Sequence, residues 1–329
     1  MSNLPIITPE EKPQKKASSP SSDWKERKIE RTAYYEKTWR NTPERFDNSQ
    51  CSIHRNRFKR LTGLIEDLGD ISQKKAVDLG CGSGEISLWL CKKGMQVDAV
   101  DIASIPLEKL RAVKPDNLNL LQDYVPFTKL DDDTYDLVIC NDLIGDLHPN
   151  EYRMLISELA RIVKSTGRVI CSTPLDLNSE DPLDRFVQLI DTEFEVENES
   201  YANDSLYIHW LDFLAYPRRL ARATSSPQER KIALDKRRGL SYGLFKVLSQ
   251  PWLHFLWKAT AWVVNPLSNL SRNSDSLRAG MEKISRFFRQ ESGITHAIFL
   301  TKRRSLLNTN SLETPHDIQP AKQKRTVWE

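Results

Sequence analysis

The sharpest chemical signal in the chain is the run Val77-Asp78-Leu79-Gly80-Cys81-Gly82-Ser83-Gly84, which follows a short apolar stretch and opens a helical one, Glu85–Lys93. Glycines at such a junction let the backbone turn tightly and let a ligand approach with no Cβ in the way. A dinucleotide fingerprint, G-x-G-x-x-G, needs glycine at position 85, where Glu85 stands. The G-x-G-x-G spacing behind an acid, Asp78, leaves room for an amino-acid moiety in place of a pyrophosphate. A carboxylate there attracts an ammonium group and repels phosphate.

Three more polar positions converge on the same place. Asp101 closes the next predicted strand, 17 residues beyond Gly84, where a carboxylate usually accepts the two hydroxyls of a ribose. Asp123 and Tyr124 follow a third strand; the carboxylate can accept from an adenine amino group while the neighbouring ring lies against the base. Asn141-Asp142 follow a fourth. Open α/β sheets bind ligands outside the carboxyl ends of their strands, so the four positions point at one site.

The elements that must hold these residues are legible between Lys75 and Thr173. Ala76–Leu79, Val97–Val100, Leu118–Leu121, Tyr135–Cys140 and Arg168–Cys171 are short apolar runs. Helical patterns alternate with them at Glu85–Lys93, Leu107–Val113 and Glu151–Val163, the last stopping at Gly167. Short strands alternating with helices imply a doubly wound α/β sheet, mostly parallel and covered on both faces. Phe194–Tyr201 alternates apolar and acidic residues as a sixth strand would, and Thr295–Thr301 supplies a seventh. The predicted organisation is a disordered tail over 1–22, a core with a helical lead-in over 23–206, a basic, tryptophan-rich helical insertion between strands six and seven over 207–292, the final strand over 293–303, and a second disordered tail over 304–329.

With the motifs placed, the chain resembles the class I S-adenosylmethionine-dependent methyltransferases, in the group that includes quinone and small-molecule methyltransferases. The resemblance is carried by VDLGCGSG (77–84), VDAVDIA (97–103), LQDYVPF (121–127), YDLVICNDLIGDL (135–147) and SELARIVKSTGRVICSTP (157–174). It implies a Rossmann-like fold, S-adenosyl-L-methionine as cofactor and no metal. The cofactor contacts it implies are Asp78, Gly80, Cys81, Gly82 and Gly84 around the methionine part, Asp101 and Ile102 at the ribose, Asp123 and Tyr124 at the adenine, and Asn141 through its backbone. One departure is Ser165-Thr166-Gly167, where the family usually has Pro-Gly-Gly.

Methyl displacement at a sulfonium carbon needs no acid for the leaving group, so alignment and exclusion of water do much of the work. A general base is needed where the acceptor must lose a proton. His148, just beyond the fourth strand, is the best-placed histidine for that role, although a histidine in an exposed turn before Pro149 is the more ordinary reading. His54 and Arg57 on the lead-in helix can close over the cofactor or form an ordinary solvated helix face, and Tyr34 and Tyr35 are read first as core packing and second as a cover for the pocket. Asn141-Asp142-Leu143-Ile144 does not carry the Asn-Pro-Pro-Tyr type of signature that DNA amino-methyltransferases use.

The net charge of +3 conceals a split. Residues 23–206 hold 24 basic and 34 acidic residues, while 207–292 hold 15 basic and 6 acidic ones, a balance of +9. The basic block contains Trp210, Trp252, Trp257 and Trp262 and an apolar helix bracketed by Pro251 and Pro266, too short to span a bilayer, which takes about 20 residues. On a helical wheel its three tryptophans fall at about 160°, 300° and 80°, which favours burial over a surface-lying belt. Three readings of the block stay open: a lid over the active site, a peripheral element on anionic membrane, and, least favoured, a nucleic-acid platform. With 28% charged residues an integral membrane protein is excluded. Five cysteines without a C-x-x-C pair fit a reducing compartment. The expected location is the cytoplasm, with contact to the inner face of a membrane among the open readings. The expected function is methyl transfer to a small, lipophilic acceptor. The alternatives are a non-catalytic binding protein of the same fold, or a methyltransferase acting on protein or RNA through the basic insertion. The acceptor atom and oligomeric state stay open.

Overall fold

The apolar runs form a seven-stranded sheet in a computed structural model that describes residues 24–43, 51–175, 182–235, 239–289 and 293–304. Both predicted tails, apart from Arg304, lie outside these residues, as does the basic run 236–238. In chain order the elements are α1 (Trp24–Asn41), α2 (Ser52–Glu66), β1 (Lys75–Leu79), α3 (Glu85–Lys92), β2 (Gln96–Asp101), α4 (Ser104–Arg111), β3 (Leu118–Gln122), β4 (Tyr135–Cys140), α5 (Tyr152–Ile162), β5 (Val163–Pro174), α6 (Pro182–Ile190) and β6 (Phe194–Ala202). They continue with α7 (Ser205–Ala223), α8 (Pro227–Asp235), α9 (Gly239–Leu248), α10 (His254–Asn273), α11 (Asp275–Arg289) and β7 (His296–Arg303). The strand order is β3-β2-β1-β4-β5-β7-β6. β1 to β5 pair in parallel, and β7 runs antiparallel to both β5 and β6. This is the doubly wound, Rossmann-like arrangement expected, with helices α7 to α11 inserted between strands six and seven.

Strand periodicity divides the core into two layers. Along β4, Leu137 and Ile139 join the layer under α2 and α3 with Leu61, Ile65, Leu90 and Met95. Val138 and Cys140 join the opposite layer under α5, with Leu155, Ile156 and Leu159. Every one of these side chains is at most 2% exposed.

The structure corrects two boundaries. Helix α5 ends at Ile162, and β5 already begins at Val163, so Gly167 lies inside a strand and does not stop a helix. Val163 pairs with Tyr135 before a register shift between Tyr135 and Leu137. A Cβ on Gly167 would sit 2.8 Å from the Tyr135 carbonyl oxygen and 2.7 Å from Val163 Cγ2. In the insertion, α10 runs through Pro266 for 20 residues, where two prolines were expected to bracket a shorter helix. Proline removes one N–H and crowds the carbonyl four residues back, but Pro266 faces solvent.

Polar contacts attach the insertion to the core. Arg278 Nη1 donates to Asp204 Oδ1 at 3.0 Å and to Glu282 Oε2 at 2.6 Å, with all three side chains buried. Arg60 of α2 and Arg286 also bind Glu282. Ser52 and Arg55 reach Asp275 at the start of α11. The helices α7 and α10 are joined by Arg218 to Asn265 Oδ1 at 2.6 Å, by the Tyr207 hydroxyl to the Ser271 carbonyl at 2.6 Å, and by Thr224 to His254 at 3.0 Å. The sequence reading favoured burial of the apolar side of α10. The structure reverses it: Trp252 and Trp262 are 79% and 78% exposed, while Trp257 turns inward and donates to the Leu248 carbonyl at 2.7 Å.

Replacement of Gly167 by alanine should cost about 1–3 kcal/mol through collision with the β4 backbone. A lowered urea midpoint with an unchanged m-value would show this.

Candidate active site

At the end of β1 the chain must turn from strand to helix within five residues, and glycine makes this possible. Gly80, Gly82 and Gly84 have φ of 72°, 52° and 75°, a region costly for residues with a Cβ. The N–H groups of Gly80 and Cys81 donate to the Val100 carbonyl at 2.8 and 2.9 Å. Gly82 N–H donates to Asp101 Oδ2 and Ala103 N–H to Asp101 Oδ1, both at 2.9 Å. The Asp101 carboxylate is thus a clamp between the glycine loop and the end of β2. Burial raises its pKa, and the backbone N–H donors only partly offset this.

A cavity of about 150 Å³ opens above this clamp. The sheet side contributes Gly80, Gly82, Asp101, Ile102, Asp123, Tyr124 and Val125. The segment after β4 contributes Leu143, Asp146 and Leu147, and α1 contributes Arg31, Tyr35 and Trp39. The cavity is small beside the roughly 300–1,000 Å³ of ligand pockets because α1 lies across it. That placement is fixed by charge. Glu151, fully buried, accepts from the Tyr124 hydroxyl at 2.7 Å, from Arg27 at 3.0 Å and from His148 N–H at 3.0 Å, and it pairs with Arg31 at 3.5 Å. Burial alone would raise its pKa; these donors and charges lower it. Tyr35 bonds Asp146, and burial followed by that charge pushes its phenol up.

Six of the sequence-predicted residues line this cavity together: Gly80, Gly82, Asp101, Ile102, Asp123 and Tyr124. Five do not. Asp78 is buried beneath the loop, where it accepts from Ser87 Oγ at 2.6 Å. Cys81 is outside the lining, and Gly84 is the N-cap of α3, where a Cβ would overlap the Leu110 side chain. Asn141 turns its Oδ1 to Ser172 Oγ at 2.7 Å. His148 caps a short 3-10 turn, its Nδ1 accepting from Asn150 N–H at 3.3 Å. This local bond engages one ring nitrogen, Nδ1.

A second polar cluster stands beside the cavity, at the ends of β4 and β5 and the start of β7. Asp142, with φ of 57°, binds Ser172 Oγ at 2.9 Å, His296 Nε2 at 2.6 Å and Arg57 Nη1 at 3.5 Å. Burial alone would raise the Asp142 carboxyl, but His296, Arg57 and Ser172 together hold its pKa below the ordinary range. A carboxylate only accepts, so His296 Nε2 carries the hydrogen. His296 is fully buried, its pKa is lowered by burial, and its Nδ1 has no partner among the described residues. His54 nearby is held at about 4 by burial and by the Arg57 charge, and so is neutral. Sequence reasoning noted the strand Thr295–Thr301 but not its histidine. The signal was present, because an antiparallel final strand begins where its parallel neighbours end.

A family model described as a methyltransferase domain matches residues 53–226. This chain therefore belongs to the methyltransferase-domain family, within the class I S-adenosylmethionine-dependent methyltransferases. It is 28% identical over 131 residues to a ubiquinone biosynthesis O-methyltransferase of Photorhabdus laumondii, covering 37% of this chain and 51% of that protein. It is 32% identical over 128 residues to the protein of that name from Rickettsia typhi, again covering 37% and 51%. The chain spans about half the length of these curated relatives. Among solved structures, the geranyl diphosphate C-methyltransferase of Streptomyces coelicolor A3(2) aligns over 76% of this chain and 77% of its own, at 11% identity and a TM-score of 0.46.

Asp78 yields a prediction of its own. Burial first, with the Asp101 charge adding, raises its pKa to about 6 against the Ser87 hydrogen bond. A carboxyl raised by folding holds its proton more tightly folded than unfolded. The stability it contributes is complete below about pH 4 and is lost as the pH climbs through 6, a change of about 3 kcal/mol. Unfolding midpoints measured from pH 4 to 7 should fall less steeply in Asp78→Asn than in the parent.

Proposed function

We propose that the chain transfers a methyl group from S-adenosylmethionine to a hydroxyl of a small, lipophilic acceptor. The observation that carries this reading is the shared cavity of the glycine loop, the Asp101 clamp and the Asp123–Tyr124 pair. Their chemistry fits the cofactor. Asp101 spends one lone pair of each oxygen on a backbone N–H and keeps others for ribose hydroxyls. The left-handed glycines bring backbone rather than side chain to the cavity wall. When bound, the cofactor supplies an electrophilic methyl carbon on a sulfonium. Admission of a molecule of that size calls for outward displacement of Arg31, Tyr35 and Trp39.

The polar cluster at Asp142 supports the hydroxyl acceptor. With Nε2–H directed at Asp142, the free Nδ1 lone pair of His296 is the proton-accepting atom of the pair, and the carboxylate stabilises the imidazolium that forms. His296 takes over the role first considered for His148. Because His296 is covered, the acceptor reaches it only as the elements above the sheet part. The names of the relatives, which are O-methyltransferases of quinone biosynthesis, agree with an acceptor of this kind.

Calorimetric titration of S-adenosylmethionine should show binding by the parent, weakened about 10- to 100-fold in Asp101→Ala through loss of charge-assisted hydrogen bonds. His296→Gln should bind the cofactor like the parent but methylate phenols and catechols about 10²- to 10⁴-fold more slowly. A parent that does not bind the cofactor would instead favour a non-catalytic binding protein. Unimpaired turnover by His296→Gln would remove the histidine from the mechanism.

A further inference from the structure

Helix α10 is built inside out. From His254 at 0°, with about 100° per residue, the side chains near 0° are Ala261, Asn265 and Arg272. His254, Asn265 and Ser271 bond residues of α7, and Ala261 and Ser268 are small and buried against it. The opposite side, from about 80° to 220°, carries Phe255, Leu256, Trp262, Val263, Leu267 and Leu270. Each of these is at least 47% exposed, and Phe255 reaches 82%. A helix on the surface of a soluble domain normally shows the reverse pattern.

The inversion is not confined to one helix. Among the described residues, 15 of the 18 large apolar side chains that are strongly exposed lie between Phe213 and Phe288, including Leu244 and Val247 of α9 and Phe287 and Phe288 of α11. Exposed apolar side chains concentrated in this way mark an interaction surface.

Charge identifies what covers it. From residue 236 to residue 274 the sequence contains six basic residues (Lys236, Arg237, Arg238, Lys246, Lys258 and Arg272) and no acidic one; Lys246 and Lys258 are exposed, Arg272 lies on the α7-facing side of α10, and 236–238 lie outside the described residues. Of the acids near this run, Asp275 pairs with Arg55, Glu282 with Arg278 and Asp212 with Arg219, while Asp235, just before it, is exposed. On α11, Phe287 and Phe288 stand between exposed Arg286 and Arg289. A second copy brought face to face would oppose like charges. A layer with an apolar interior and anionic headgroups satisfies both the apolar and the basic groups. No described helix is long and apolar enough to cross a membrane, and α10, about 30 Å long, can lie flat within the headgroup boundary.

We propose that the outer face of α9 to α11 docks the protein onto an anionic lipid bilayer, with α10 lying in the interface plane. The proposal stands apart from the reading of the cofactor pocket, since the docking face contains none of the residues that line it.

The test is co-sedimentation of the full chain with vesicles of phosphatidylcholine alone and of phosphatidylcholine mixed with phosphatidylglycerol. Binding is expected to be at least about tenfold stronger to the mixed vesicles and to weaken as salt is raised. A triple variant, Phe255→Ser, Trp262→Ser and Leu270→Ser, should lose about tenfold or more of that binding while keeping the parent's melting temperature and cofactor titration. The three side chains are exposed, so the fold does not depend on them. Absence of vesicle binding by the parent would overturn the proposal, and so would equal binding to both vesicle types. A concentration-dependent dimer that the triple variant abolishes, without vesicle binding, would assign the face to a second copy. Loss of cofactor binding with vesicle binding intact would touch only the pocket reading.

Discussion

The structure of the site depends on one buried carboxylate. Asp101 stands at the end of β2 with both oxygens accepting backbone N–H groups, one from Gly82 in the neighbouring loop and one from Ala103 ahead of α4. A buried carboxylate without such donors is strongly disfavoured, and a loop of three left-handed glycines without an anchor has many other conformations open to it. Each resolves the other's problem. The loop supplies the N–H that the carboxylate needs, and the carboxylate selects the one conformation that turns β1 into α3. The loop's two bonds to the Val100 carbonyl then keep the cavity floor in register with the sheet.

The other elements above the sheet are held by buried charge as well as by apolar packing. Glu151 collects Tyr124 from the cavity floor and Arg27 and Arg31 from α1, so helix and floor share one buried anion. Arg278, Asp204 and Glu282 do the same where α7 and α11 meet, and Arg60 brings in α2. Buried ion pairs of this kind contribute orientation more dependably than stability, since desolvation offsets much of their attraction. The consequence for α10 is direct. Much of its inward side is polar because α7 presents polar partners to it, and apart from Trp257 and Ala261 most of its apolar groups face out.

The sheet and the floor of the site were legible because they are local. Short apolar runs, a glycine cluster and acids at strand ends each report on a few consecutive residues, and the sheet places them side by side. Gly80, Gly82, Asp101, Ile102, Asp123 and Tyr124 accordingly share a cavity. Asp78 and Gly84 belong to the same motif but support it from below, one through Ser87 and the other by leaving room for Leu110. Spacing alone does not separate a residue that lines a loop from one that carries it. Pairings distant in sequence were not legible: Asp142 meets His296 across 154 positions, and Glu151 meets Arg27 across 124.

The helical wheel of α10 was sound in its angles and misleading in its conclusion. Tryptophans spread around a helix imply burial only if the core lies on the apolar side. Here the narrow polar stripe was the buried one, because Asn265, Ser271 and His254 find partners on α7. The segmental charge count marks the same stretch, 207–292, as basic beside an acidic core. Anions are gathered in the core, residues 23–206, and cations in the insertion, residues 207–292. The cavity beneath α1 sits on the acidic core, where a cationic ligand is favoured. The apolar, basic helices rise from the opposite end of the strand order, beyond β5, on the side where the paired Asp142 and His296 lie.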